Sequence, residues 1–269
     1  MPIISVINNK GGVGKTTITQ NLAIYFAQKG FTTGLVDFDS QANLSFSIPH
    51  TPNLDLVSLI QKRQPVGKTE FSETVYENLF ILPNEKDINS SVFNQFNTGD
   101  QPFVFKDIIS QTKDFDYIFI DTAPALDIPT FNALVASDYL IIPVEHDIFS
   151  AIGLSILYDN IKSAQRLNPK LQVLGILQTQ VTERSKMKKE MQEPLEKNFG
   201  KVVFDTQIRT NVKFRQAQAE RKDIFAYEKV TDDQKKFLGI KIGKPENKGS
   251  EDVENLSNEI INRIKSQTK

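Results

Sequence analysis

Short apolar runs alternate with helical patterns along most of the chain. "PIISVIN" (residues 2–8), "TTGLVDFD" (32–39), "NLFILP" (78–83), "FDYIFIDTAP" (115–124), "DYLIIPVE" (138–145) and "LQVLGILQT" (171–179) read as six strands, and "KVVF" (201–204) as a seventh. These runs are apolar throughout rather than alternating, the mark of strands covered on both faces. Between the first two, "KTTITQNLAIYFAQKG" (15–30) has helical spacing, with Leu22, Ile24, Tyr25 and Phe26 near the core face and Gly30 as its stop. Ile128–Ala136, Ala151–Leu167 and Met187–Phe199 are further helical connections between the later strands. Strand and helix in regular succession predict an α/β fold. Its core is a doubly wound, mostly parallel sheet with helices on both faces. Residues 47–78 and 83–101 are less regular and are expected to carry variable helices. Residues 231–250 read as a polar loop with a short hairpin, and 251–267 as a terminal helix capped by Ser250, with Glu251 to Glu254 in its first turn. Val253, Leu256, Ile260, Ile261 and Ile264 give that helix an apolar stripe. No internal repeat is visible, and residues 1–269 read as one domain.

Composition narrows the chemistry more than the fold. Of 269 residues, 39% are hydrophobic and 24% charged, ordinary for a soluble globular chain. No run reaches the ~18 apolar residues of a membrane span, and "MPIISVINN" lacks a secretion signal's basic and apolar regions. With no cysteine, disulfides and thiolate metal sites are excluded, and His50 and His146 are too few for a histidine metal centre. A cytoplasmic protein is expected. Net charge is −1, yet Val181 to Lys222 holds eleven Lys/Arg against six Asp/Glu, so one face is expected to be basic.

The densest chemistry lies in "VINNKGGVGKTTITQNL", residues 6–22, at a strand–loop–helix junction. Gly11, Gly12 and Gly14, with Val13 between them, let main-chain N–H groups crowd around phosphate oxygens where a Cβ would clash. The following helix points its positive end at the same oxygens. Lys15 is expected to bridge the β- and γ-phosphates of a nucleotide, with Thr16 on Mg²⁺ through its hydroxyl and Thr17 beside it. Asp121 ends a parallel strand where ligands bind in such sheets, and is expected to reach the metal through water. Asp37 and Asp39 close "GLVDFD"; they are expected to face opposite sides and to divide the metal shell and the attacking water between them. A common phosphate loop has glycine at position 9. Here Asn9 stands there, and a second lysine, Lys10, follows.

"NNKGGVGKTT", "VDFDSQANLS" and "DYIFIDTAP" resemble, in order and spacing, the deviant Walker ATPases of the ParA/MinD/Soj group, a branch of the P-loop NTPases. "NALVASDYLIIPVEHD" with "IGLSIL" resembles the group's fifth strand and next helix, and "FDTQIRTNVKFRQA" its late strand–loop–helix segment. The resemblance covers about residues 2–230. It implies ATP and Mg²⁺ as ligands and an ATP-dependent sandwich homodimer in which Lys10 reaches the partner's phosphates. It also implies that Asp39 positions the attacking water and that the loop around Ile208 and Arg209 lies near the adenine. Relatives that partition DNA bind nonspecific double-stranded DNA as ATP dimers. Arg184 and Lys213 match their basic positions, with Lys186, Arg209 and Arg215 close in sequence. A ParB-like centromere-binding adaptor that stimulates hydrolysis is the implied partner, and association with the nucleoid in the ATP state the implied location. Two departures stand out: Ser40 replaces the proline that usually follows the second aspartate, and "IRTN" (208–211) replaces "IPRN". Rival expectations are a MinD-like membrane-associated regulator and a positioner of protein cargo. The terminal helix carries Asp252, Glu254 and Glu259 beside its basic residues, so no stable membrane association is expected.

Overall fold

The computed structural model describes residues 1–85, 87–145, 150–182, 202–237 and 247–267. Its strands are β1 (Ile3–Val6), β2 (Thr33–Phe38), β3 (Ser72–Glu73), β4 (Leu79–Leu82), β5 (Tyr117–Thr122), β6 (Tyr139–Glu145) and β7 (Gln172–Thr179). They form one sheet in the order β3-β4-β2-β5-β1-β6-β7, parallel except for β3 at the edge. The helices are α1 (Lys15–Gln28), α2 (Asn43–Ser47), α3 (Leu56–Lys62), α4 (Ser90–Phe93), α5 (Val104–Ile109), α6 (Ile128–Ala136), α7 (Ser150–Leu167), α8 (Val212–Ala219), α9 (Ile224–Phe237) and α10 (Lys248–Gln267).

The apolar runs are explained by where alternate residues go. Ile4 and Val6 of β1, Leu35 of β2 and Phe119 of β5 pack with α1 and α10. Val36 and Phe38 of β2 and Ile118 and Ile120 of β5 pack with α3 to α6 on the other face. The same second face continues under α6 and α7 with Leu140, Ile142 and Ile176. Both faces are covered, so β1 and β2 are buried throughout and β4 to β7 along most of their length.

Six of the seven expected strands form, and the seventh is a different segment. Of "KVVF", the described residues 202–204 contribute an isolated bridge from Val203 to Ile176 and no strand. Arg263 of α10 takes the carbonyls of Leu174 and Val203 at 2.9 and 2.7 Å, groups that a longer ladder would have used. Phe204 turns onto β7 at Gly175, where a Cβ would lie 2.2 Å from the ring, and the Arg263 guanidinium covers the ring at 4.2 Å. The seventh strand is instead the polar pair Ser72–Glu73, too short to leave a pattern.

The end of the chain also differs from expectation. α9 runs through Phe237, into the stretch read as a polar loop; inside it the Thr231 hydroxyl turns back onto the Tyr227 carbonyl at 2.8 Å. α10 starts at Lys248, so Ser250 lies in its first turn and is not its cap. The buried Glu228 of α9 takes that role, accepting from the Gly249 and Ser250 N–H groups and the Ser250 hydroxyl. The expected helix Met187–Phe199, with Arg184 and Lys186 before it, lies outside the described residues.

Candidate active site

Every parallel strand ends on the same edge of the sheet, and the glycine loop leaves that edge between β1 and α1. Asn8 fixes its start by donating to the Pro143 carbonyl at 2.6 Å and accepting from the Lys10 N–H at 2.9 Å. From the β7 end, the Thr179 hydroxyl holds the Val13 carbonyl at 3.1 Å and the Gln180 amide holds the Gly12 carbonyl at 2.8 Å. Gly12 and Gly14 have φ of +80° and +92°, a region that side chains rarely adopt. Gly14 is also the N-cap of α1, with no side-chain cap on the first turn. A helix start without a side-chain cap and with an open, glycine-walled approach has the make-up of an anion site.

Beside the loop stand the acids. Asp37 and Asp121 are direct neighbours on β2 and β5, and both are fully buried. Burial, and then their mutual repulsion with Asp39 nearby, raises the Asp121 carboxyl well above its usual range. Burial likewise pushes Asp37 up to about 6, although the Ser45 hydroxyl and N–H and the Asp39 N–H all donate to it. Asp121 Oδ2 accepts from the Thr16 hydroxyl at 2.6 Å, while its buried Oδ1 has no partner among the described residues. An orphaned carboxylate oxygen next to a threonine hydroxyl fits a hydrated Mg²⁺, which lowers the cost of crowding these acids. No cluster of three or more His, Cys, Asp or Glu in the described residues is arranged to hold a metal alone. That suits an ion whose remaining ligands come from phosphate and water.

Asp39 lies just past the end of β2. Its carboxylate accepts from the Gln41 N–H at 2.9 Å, and its carbonyl accepts from the Asn84 amide at 2.6 Å. Asn84 is itself tied to Ser45 through its N–H at 2.8 Å. The expectation that Asp37 and Asp39 face opposite sides was wrong in its premise, because strand residues two apart share a face. They divide the work by depth: Asp37 anchors the turn, and Asp39 ends it.

The two lysines differ sharply. Lys15 is buried, and burial lowers its pKa while Asp121 and Asp39 pull it back up. Its ammonium donates to the Lys10 carbonyl at 3.2 Å. Lys10 is 38% exposed in its side chain and pairs with Glu145 at 2.6 Å. Glu145 also accepts from Gln180, the residue that holds the Gly12 carbonyl.

A cavity of about 230 Å³ opens on the other side of the loop. Its walls include Gly12, Gly14 and Thr17, the Ile208–Val212 segment, and Val253 and Leu256 of α10. Largely apolar and continuous with the phosphate loop, it suits the base and sugar of a nucleotide.

A family model described as an AAA domain matches residues 1–173. The chromosome-partitioning ATPase Soj of Treponema pallidum is 34% identical over 224 residues, 82% of this chain and 88% of that protein. The chain belongs to the ParA/MinD/Soj family of P-loop ATPases. Among solved structures, an ATP complex of a Cyanothece McdA variant superposes with a TM-score of 0.72 at 21% identity, covering 90% of this chain and 98% of that one. The Pyrococcus horikoshii septum site-determining protein MinD, complexed with Mg-ADP, gives 0.69 at 23%, covering 96% and 95%. These two share the fold.

Set against the ParA/MinD/Soj expectations, the structure brings Gly11 to Thr17, Asp39 and Asp121 to one sheet edge, and Ile208 and Arg209 to the adjoining cavity. Of the residues expected at or near a DNA contact, the structure describes Arg209, Lys213 and Arg215. Arg184 and Lys186 lie outside the described residues. Arg209 is clamped by Asp252 and Glu251 at 2.6 and 2.7 Å. Lys213, 17% exposed in its side chain, lies 3.5 Å from the buried carboxylate of Glu228. In this structure its charge faces Glu228. Arg215 is exposed on α8. Sequence reasoning missed Asn8, Ser45, Asn84, Glu145, Thr179, Gln180 and Glu228. All but Glu145 act by holding main chain; Glu145 holds the side chains of Lys10 and Gln180.

Proposed function

We propose that this chain is a ParA-type partition ATPase that hydrolyses ATP with Mg²⁺ and works as an ATP-dependent homodimer, residues 1–269 acting as one ATPase unit. The carrying observation is the convergence on one sheet edge of an uncapped glycine-walled helix start, a buried lysine and the Thr16–Asp121 pair with its orphaned oxygen. Lys15 binds the β- and γ-phosphates, and Gly11 to Gly14 with Thr17 cradle the phosphate chain. Thr16 and Asp121, with Asp39 nearby, are the residues that would hold Mg²⁺. When bound, Mg²⁺ supplies neutralisation of the charge that develops on the phosphates. Asp39 orients the attacking water, held by the Asp37–Ser45–Asn84 network beneath it. Lys10 acts across the dimer on the partner's phosphates, leaving Glu145 to do so.

The dimer binds nonspecific double-stranded DNA through phosphate contacts, and a ParB-like adaptor on the cargo stimulates hydrolysis and releases it from the nucleoid. The similarity to Soj over most of both chains supports the partition reading. A MinD-like membrane role is less well supported. The apolar stripe of α10 is already buried at Val253, Leu256, Ile260 and Ile264, each contributing about 1.5–3 kcal/mol.

The deciding experiment is cosedimentation of the purified chain with DNA and with anionic liposomes, with and without ATP, over a salt series. ATP-dependent, salt-sensitive binding to DNA of any sequence is the expected result. Binding to liposomes alone overturns the partition reading and favours the membrane one.

A further inference from the structure

The cavity beside the glycine loop has a wall that comes from the last helix. Val253 and Leu256 of α10, both buried, line it together with Gly12, Gly14 and Thr17. The Ile208–Val212 rim lines it as well. This rim is main chain outside any long strand, so its position depends on what ties it down. On one side Val181 does so, donating to the Ile208 carbonyl at 3.1 Å and accepting from the Thr210 N–H at 2.9 Å.

On the other side a single carboxylate does most of the work. Asp252 is 5% exposed. Its Oδ2 accepts the Arg209 main-chain N–H at 2.8 Å, and its Oδ1 accepts the Arg209 Nε at 2.9 Å. The Arg209 guanidinium also donates to the Lys248 carbonyl at 3.1 Å and to Glu251 at 2.7 Å. Main chain and side chain of Arg209 are thus fixed by the same residue. With two carboxylates beside it, the guanidinium is matched within the chain and acts as a tie. Charge-assisted hydrogen bonds of this kind are the strong ones, and burial strengthens them further.

We infer that Asp252 is a positioning residue for the nucleotide: it holds the Ile208–Arg209 rim against the base end of the ligand and couples docking of the first turns of α10 to occupancy of the cavity. The inference rests on the nucleotide-binding reading above. The phosphate end of the site is built from residues 11–17, Asp39 and Asp121, none of them on α10. Asp252 therefore acts on the base end alone. Coupling between two sites is reciprocal, so a ligand that packs on Val253 and Leu256 steadies α10 as much as α10 steadies the ligand.

The test uses the full chain as wild type, Asp252→Asn and Asp252→Glu, with Mg²⁺. ATP and inorganic tripolyphosphate compete against a fluorescent ATP analogue, and hydrogen exchange of residues 248–256 is followed with and without ATP. In the wild type, ATP is expected to slow that exchange. Asp252→Asn is expected to weaken ATP by roughly tenfold, the scale of one buried charge-assisted partner, and to leave tripolyphosphate within about twofold. Asp252→Glu is expected to recover part of the loss. Equal loss for both ligands, or wild-type exchange over 248–256 that ignores ATP, overturns the inference. The exchange measurement needs no variant, so it decides the matter even if Asp252→Asn does not fold. A wild type that binds neither ATP nor tripolyphosphate instead sinks the nucleotide reading itself, a distinguishable outcome.

Discussion

The two edges of the site treat charge in opposite ways. At the ends of β2 and β5, Asp37 and Asp121 are packed side by side in full burial, and Lys15 is buried close to Asp121 and Asp39. One buried oxygen, Asp121 Oδ1, lacks a partner within the described residues. Beyond β7, in contrast, basic residues expected to face outward are matched inside the chain: Arg209 by Asp252 and Glu251, Lys213 by Glu228. Unbalanced charge in a buried place costs several kcal/mol unless a ligand answers it. The first edge is thus built for a ligand, and the matched part of the second edge is built for stability.

The largest effect that can break this contrast is on turnover. Asp39→Ala is expected to cut ATP hydrolysis by roughly 10²–10⁴-fold, the range for losing a positioned proton acceptor, while ATP still binds and dimers persist. Single-turnover kinetics with size-exclusion in ATP reads both quantities. Hydrolysis at the wild-type rate removes Asp39 from the chemistry. Lys15→Ala is expected next, weakening ATP by about 100-fold, or about 2.7 kcal/mol, as measured by calorimetry. Unchanged affinity there means the ligand lies elsewhere.

Much of this first edge is legible in the sequence, and the reason is local. Six strands announce themselves because both faces are covered, so burial leaves unbroken apolar runs. The phosphate loop is legible because the glycines that permit a positive φ, the lysine and the threonine are all neighbours in sequence. The second edge is not legible by the same means. A window count from Val181 to Lys222 gives an excess of basic residues, but their partners, Glu228, Glu251 and Asp252, come from later helices. Ser72–Glu73 is too short to show a period, and "KVVF" reads as a strand although Arg263, about sixty residues on, takes the carbonyls a ladder needs. Ser45 and Asn84 hold the Asp39 turn from two different segments, and no spacing rule links them.

Smaller effects sharpen the comparison. Lys10 sits between the two regimes, half exposed and paired with Glu145. Such a pair contributes about 1 kcal/mol or less to stability. Lys10→Ala is therefore expected to fold and to bind ATP as a monomer nearly normally, yet to lose ATP-driven dimerisation in analytical ultracentrifugation. A variant that dimerises and turns over like wild type removes the cross-subunit role.

The finest test sets two neighbours on α8 against each other. Lys213 and Arg215 were both expected at a DNA-contacting surface. Lys213→Glu replaces with an acid the cation that now lies 3.5 Å from the buried Glu228 carboxylate. Breaking a buried pair in this way costs about 3–5 kcal/mol, discounted toward the lower end because Lys213 keeps some solvent. Chemical denaturation is expected to show that loss directly. Arg215→Glu lies on the exposed side, and its effect on stability is expected within about 0.5 kcal/mol. Its effect is instead expected in the salt dependence of DNA binding, where losing one phosphate contact lowers the slope of log affinity against log salt by about one. If the two substitutions exchange these signatures, with Lys213→Glu changing only the salt slope and Arg215→Glu only stability, then the inward charge-matching at this edge gives way when DNA is present, and the contrast between the edges does not hold in the bound state.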